Sequence, residues 1–299
     1  MEESFLHKSV LLRESIDLLN LSPGKTVIDA TVGAAGHSEE ILRIIHPKGR
    51  LIGIDRDKEA LEIARNRLAE YKGSFELIKE DFRNLKEVVD RLKLGEVDGI
   101  LFDLGISSLQ MESEARGFSI KHNGPLDMRM DKDQRLNAEE IVNGFSELEL
   151  GKIFKDLGEE RFYRRIAKSI VYYRSKKRIT ETAQLADIVL RSMPFKNKRE
   201  RIHPATRVFQ AIRIKVNNEL SSIETALRYT PHILKKGGRV SVISFHSLED
   251  RIAKTIFKEF KSSGIFRNVV KKPITPGEEE LKRNPRARSA KLRVAERIA

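Results

Sequence analysis

Residues 25–37 read KTVIDATVGAAGH: a short apolar run, an aspartate near its end, then a loop of glycine, alanine and one histidine. This predicts a buried strand (25–31), a tight loop (32–37) and a helix patterned over 38–45. The same unit recurs. RLIGID (50–55) precedes a helical pattern over 58–71, SFELIKED (74–81) precedes one from about 85 to 94, and VDGILFD (97–103) follows. Strands alternating with helices of this length require a parallel sheet covered on both faces, and right-handed crossovers make it doubly wound.

Beyond Asp103 the alternation stops. Residues 111–133 are rich in Gly, Asn, Pro and charge and read as loop. Helical patterns then cover 138–143, 146–157, 160–174, 182–192 and 204–216, with no strand among them. The α/β pattern resumes with a helix over 218–234, the strand GRVSVIS (238–244) and a helix over 248–260. Residues 266–271 and 290–296 are suited to an antiparallel pair. The chain therefore reads as a discontinuous α/β domain, 1–111 and 216–299, carrying a helical basic insertion, 112–215.

The 299 residues suffice for a large core. No run approaches the roughly 18 apolar residues of a membrane span, and residues 1–20 lack a signal peptide's apolar centre, so a cytoplasmic protein is expected. There is no cysteine, which excludes disulfides, thiolate metal sites and any thiolate nucleophile. Seven scattered histidines form no metal motif. The net charge of +13 favours a polyanionic partner, nucleic acid first. Residues 161–215 hold sixteen Lys/Arg against three Asp/Glu, a surplus equal to that of the whole chain. Arg161, Arg164, Arg165 and Lys168 share a helical face by spacing. Lys176, Lys177 and Arg178, and Lys198, Arg199 and Arg201, form loop clusters, and Arg207 adds to them. These are the candidate phosphate ligands. Tyr172, Tyr173 and Phe195 are suited to stacking on bases or to ordinary packing.

In a doubly wound sheet, ligands bind beyond the carboxyl ends of the strands. Asp29, Asp55, Asp81 and Asp103 stand at four successive strand ends. The loop Thr31-Val32-Gly33-Ala34-Ala35-Gly36-His37 allows close backbone approach at a helix N-terminus. Asp55, nineteen residues after Gly36, has the spacing of an acid that bonds ribose hydroxyls. That spacing serves NAD and S-adenosylmethionine (AdoMet) alike. The loop is not G-x-G-x-x-G, and a ring of acids suits AdoMet's positive sulfonium better than a pyrophosphate. Phe82 is suited to packing on adenine or in the core.

Ten segments resemble the RsmH/MraW family nearly end to end: 7–12 (HKSVLL), 29–38 (DATVGAAGHS), 98–110 (DGILFDLGISSLQ), 116–119 (RGFS), 125–131 (PLDMRMD), 159–161 (EER), 203–210 (HPATRVFQ), 216–220 (VNNEL), 242–251 (VISFHSLEDR) and 286–296 (RARSAKLRVAE). The resemblance implies a doubly wound, Rossmann-like AdoMet-dependent methyltransferase sheet with an inserted all-helical domain. It implies methylation of the N4 amine of a cytidine in the decoding region of 16S rRNA, with the small ribosomal subunit as partner. It further implies that Ala35, Gly36, His37, Asp55, Phe82, Asp103 and Gln110 contact AdoMet, beside Gly33 of the same loop. The chain departs from the family at Ala34-Ala35, where glycines are expected; a methyl group at 35 would narrow the site. A homodimer is compatible with the sequence.

Without a cysteine, the acceptor must already carry a lone pair: an exocyclic amine, a ring nitrogen or a ribose oxygen. Asp103 is a candidate catalytic residue. Either it accepts the N–H of the acceptor amine, or it binds the methionine amino group while carbonyls of loop 104–108 take that N–H. His246, the second catalytic candidate, has two readings, contact with the base or a structural hydrogen bond, and Ser247 with Asp250 reads as a capping box. Three competing readings remain: an RNA-binding or ribosome-assembly factor holding AdoMet, a methyltransferase of another RNA nitrogen, ribose oxygen or protein, and a dehydrogenase.

Overall fold

The computed structural model describes residues 9–194 and 203–299. They form two compact units, one from residues 9–105 and 220–299, the other from Ile106–Glu219. The sequence reading sets the borders at 111/112 and 215/216. The structure moves them because Ile106 and Met111 pack into the helical core, and because the last helix of that unit runs on to Asn217.

In the first unit the chain runs α1 (Leu12–Leu19), β1 (Thr26–Asp29), α2 (Gly36–Ile45), β2 (Arg50–Asp55), α3 (Lys58–Arg67), β3 (Phe75–Lys79), α4 (Leu85–Leu92) and β4 (Val97–Asp103). The helical unit holds α5 (Ser108–Glu112), α6 (Ala138–Gly144), α7 (Glu147–Asp156), α8 (Tyr163–Arg174), α9 (Thr182–Ser192) and α10 (Thr206–Asn217). Then follow α11 (Glu219–Ile233), β5 (Leu234–Ser244), α12 (Ser247–Ser262), β6 (Phe266–Asn268), α13 (Glu278–Arg283) and β7 (Lys291–Arg297). Of residues 111–133, which read as loop in the sequence, the first two finish α5; the rest hold one short 3-10 turn, Glu114–Arg116, and a single bridge from Pro125 to Glu181, and are otherwise irregular.

The sheet has the order β3-β2-β1-β4-β5-β7-β6. The first five strands are parallel and β7 inserts antiparallel between β5 and β6. The expected antiparallel pair near the end of the chain is thus present, and it widens the same sheet. The order reverses at β1: β2 and β3 extend one way and β4 and β5 the other. That reversal opens a crevice above the carboxyl ends of β1 and β4.

β4 is buried from Val97 to Phe102, as expected of a strand covered on both faces. Fully buried side chains such as Ile28, Ile52 and Phe102 each contribute about 1.5–3 kcal/mol. This packing fixes the height at which each strand ends. Asp29 is level with Gly53 of β2 and Leu101 of β4. Asp55 and Asp103 therefore both project two residues beyond it, one on either side.

The helical unit has its own core, including Leu150, Phe154, Ile166, Ile170, Leu185, Val189, Val208 and Ile212. Buried Arg116 ties down its long loop by donating from Nη2 to the carbonyls of Arg129 (3.1 Å) and Met130 (2.9 Å). No helix among the described residues is long and apolar enough to cross a membrane.

Candidate active site

The loop from β1 into α2 is built on two left-handed residues, Gly33 (φ 49°) and Ala35 (φ 63°). For an alanine this conformation costs roughly 1–2 kcal/mol. The Ala35 side chain is fully buried and offsets part of that by packing among Val32, Ile41 and Leu42. The Gly33 N–H donates to Asp55 Oδ2 (2.9 Å), and the Asp57 N–H donates to Asp55 Oδ1 (2.9 Å). Asp55 is held from both sides, and each oxygen has accepting capacity beyond these bonds.

Asp29 is buried. Its Oδ2 accepts from Ser38 Oγ (2.7 Å) and its Oδ1 from the Thr31 N–H (3.2 Å). Burial nevertheless pushes its carboxyl up to about 6, with Asp55 adding repulsion. Burial likewise raises Asp55. Asp103 is raised furthest, well above the usual carboxylate range, by burial and by the charges of Asp29 and Glu249. Its backbone N–H donates to Thr31 Oγ1 (2.7 Å), which anchors the end of β4 to the loop. Its side chain is 18% exposed, yet Oδ1 is closed off and has no hydrogen-bond partner among the described residues. An orphaned buried carboxylate oxygen is costly. Three acids on adjacent strands, all raised, thus gather at one edge of the sheet.

His37 is buried on the first turn of α2. Its Nε2–H donates to the Val10 carbonyl (3.2 Å), so Nδ1 is the nitrogen facing Asp103 Oδ2 at 3.5 Å. Asp81 caps the turn that carries Phe82 and pairs with Arg56 (3.1 Å) and Arg83 (2.7 Å). The half-buried Phe82 ring meets Phe102 edge-on at 5.8 Å, and the Arg56 guanidinium lies 5.8 Å from its centroid. Gly36 is buried against Ser9, where a Cβ would come within 2.0 Å of the hydroxyl oxygen.

Beyond β5 the structure differs from the capping box expected at Ser247 and Asp250. The N-cap of α12 is His246, one residue earlier: its Nδ1 accepts from the Glu249 N–H (3.4 Å) and its Nε2 lies 3.1 Å from Glu249 Oε1. Buried Glu249 Oε2 accepts from the N–H groups of Phe245 (2.7 Å) and His246 (3.2 Å). Asp250 instead pairs with Arg293 and Lys291 of β7. Histidine is not a usual N-cap, so the Ser-x-x-Asp pattern prevailed in the sequence. Thr31, Ser38 and Glu249 went unsingled there, because their partners lie on other segments.

In the helical unit, Gln110 is buried and closes a capping box with Ser107 at the start of α5. Arg164, Arg165 and Lys168 are exposed on α8, with exposed Arg161 two residues before it. Lys176, Lys177, Arg178 and Arg207 are also exposed. Arg178 pairs with Glu139 (2.6 Å), and Lys176 lies 4.1 Å over the ring of Tyr172. Tyr172 is itself exposed and meets Tyr173 edge-on at 5.3 Å. Phe195, Lys198, Arg199 and Arg201 lie outside the described residues.

The family model of the MraW methylase family matches residues 4–298. The chain belongs to the MraW methylase family. The ribosomal RNA small subunit methyltransferase H of Persephonella marina is 50% identical over 292 residues, covering 98% of this chain and 99% of the relative. The protein of the same name from Clostridioides difficile is 44% identical over 309 residues, covering 98% and 99%. Among solved structures, an rRNA methylase from Streptococcus thermophilus aligns with a TM-score of 0.48 at 11% identity, covering 99% of this chain and 100% of its own. This MraW-family chain thus matches its relatives over nearly their whole lengths.

Proposed function

We propose that this chain methylates small-subunit ribosomal RNA, at the N4 amine of a cytidine in the decoding region, with S-adenosylmethionine as donor. The observation that carries the reading is Asp103: a carboxylate with an orphaned buried oxygen, at the switch point of a doubly wound sheet, beside two further acids. The donor supplies an electrophilic methyl on a positively charged sulfonium, which this field stabilises. Asp55 would hold the ribose hydroxyls, Gly33 and Gly36 would let the backbone approach, and Phe82 would face adenine. Ala35 shapes the turn. His37 stands beside Asp103, with Nδ1 3.5 Å from Oδ2.

A cytosine amine is a poor nucleophile because its lone pair is delocalised into the ring. Asp103 is assigned to the N–H side of the reaction: it accepts from the amine or from the donor's ammonium group, and either contact uses the orphaned oxygen. Positioning and electrostatics supply the rate. The absence of cysteine supports a nitrogen acceptor over pyrimidine carbon 5. His246 is assigned to positioning, as the cap that sets the loop after β5. The exposed cations of the helical unit, Arg161, Arg164, Arg165, Lys168, Lys176, Lys177 and Arg207 among them, are assigned to RNA phosphates.

The test is nucleoside mass analysis of small-subunit RNA incubated with the enzyme and methyl-labelled AdoMet. Label in N4-methylcytidine is the expected result. Label in another nucleoside, or in protein, refutes the acceptor. RNA binding without any transfer refutes the enzyme and leaves an assembly factor.

A further inference from the structure

A second cationic feature lies in the α/β unit, away from the helical insertion in sequence. Lys254 and Lys258 sit one turn apart on α12, Asn268 ends β6, and Lys271 and Lys272 follow on the connection toward β7, which contributes Arg293. These groups line one cleft of about 180 Å³, floored by buried Phe257 and Val294, and no acid lines it. All four lysines are exposed, and none has an ion-pair partner among the described residues. Arg293 is fixed in place by Asp250, at 2.7 Å from Nε and 3.2 Å from Nη2. The four lysines have no acid among them and repel one another, and an anion in the cleft relieves that repulsion.

The topology places the cleft toward the catalytic edge. β6 runs in the same direction as β5, because each pairs antiparallel with β7. The segment with Lys271 and Lys272 therefore leaves β6 toward the edge where β1, β2 and β4 end in Asp29, Asp55 and Asp103. Between β4 and β6 lie only β5 and β7. At about 4.8 Å per strand, that is roughly 15 Å across the sheet. A strand of RNA whose target base reaches Asp103 can lay its flanking backbone there.

We infer that this cleft is a phosphate-binding site for the substrate RNA backbone, a second anchor independent of the helical insertion. The inference rests on the RNA reading above. A flexible ammonium binds phosphate as a point charge without reading sequence, so the site adds affinity and register rather than base choice.

The experiment measures the affinity of the full chain for protein-free small-subunit rRNA, without AdoMet, between 50 and 200 mM salt. It compares wild type with Lys254→Gln/Lys258→Gln, Lys271→Gln/Lys272→Gln and the quadruple variant. Removing one lysine–phosphate interaction lowers the slope of log K against log salt by about 0.7–0.9. For each interaction removed, the variant's deficit at 50 mM then exceeds that at 200 mM by about threefold. The quadruple variant is expected to show a slope reduced by at least one such step while keeping wild-type AdoMet affinity and melting temperature. Its deficit should add to that of Arg164→Gln/Arg165→Gln. A quadruple variant with the wild-type slope overturns the inference and leaves the RNA reading standing. A defect on assembled subunits but not on protein-free rRNA also overturns it, in favour of an acidic protein partner. Wild-type protein without salt-dependent RNA affinity overturns both readings.

Discussion

Replacing Asp103 by Asn should move stability and donor affinity in opposite directions. Asn keeps the volume and removes the charge. In the free protein that charge is a burden, since burial, Asp29 and Glu249 all raise the carboxyl. A group whose folded pKa lies above its unfolded value destabilises the fold once pH exceeds that unfolded value. Each pK unit of elevation corresponds to about 1.4 kcal/mol, and each kcal/mol to about 2–4 °C in a unit of this size. Relief of that penalty thus raises the melting temperature of the free protein at pH 7.5, by about 2–4 °C for each kcal/mol relieved. With AdoMet the balance reverses. A hydrogen bond from the cationic donor to a carboxylate contributes about 1.5–3 kcal/mol, so Kd should weaken about 10- to 150-fold. Differential scanning fluorimetry and calorimetric titration of the same preparation read both quantities. A variant that melts lower while binding AdoMet as tightly as wild type would refute the reasoning, because Asp103 would then be a structural residue.

Three further outcomes follow from the geometry. Asp29, with its folded pKa at about 6 against 3.8, binds its proton more tightly folded than unfolded; its contribution to the stability of the free protein falls by about 2 kcal/mol as pH rises from 4 to 7, and urea melts of Asp29→Asn should lack that component. His246→Ala removes the N-cap of α12 and should cost about 1 kcal/mol, read as a lower urea midpoint, with RNA affinity within about twofold of wild type; a large loss of RNA affinity at unchanged stability would assign the ring to the substrate. Arg164→Gln/Arg165→Gln on α8 should reduce the salt dependence of RNA binding by about one to two phosphate interactions, and an unchanged slope in filter binding would remove α8 from the RNA surface.

The strands that position the site were legible because a parallel sheet writes itself as apolar runs, and Asp55 and Asp103 end β2 and β4 as those runs indicate. Helix α1 was not read. It is entered through Leu11 in the left-handed conformation without a side-chain cap, so the usual start signal is absent. Helix α13 was missed because six residues are too few to show a period. The strand read as starting at Gly238 starts at Leu234, where the ladder with β4 is irregular between Val97 and Gly99. Chemistry that depends on distant segments left no local trace. The Val10 carbonyl that orients His37 comes from the segment before α1, and the Thr31 hydroxyl reaches the Asp103 N–H only once β1 and β4 are side by side. The lysines of the α12–β6 cleft were visible as charges, but their convergence was not.

The account stands most directly on where the donor sits. A crystal structure of the chain soaked with AdoMet should show ribose hydroxyls within hydrogen-bond distance of Asp55 and a donor nitrogen or the sulfonium against Asp103 Oδ1, with His37 still on the Val10 carbonyl. Clear density for the donor elsewhere, with Asp103 Oδ1 left unpaired, would contradict it.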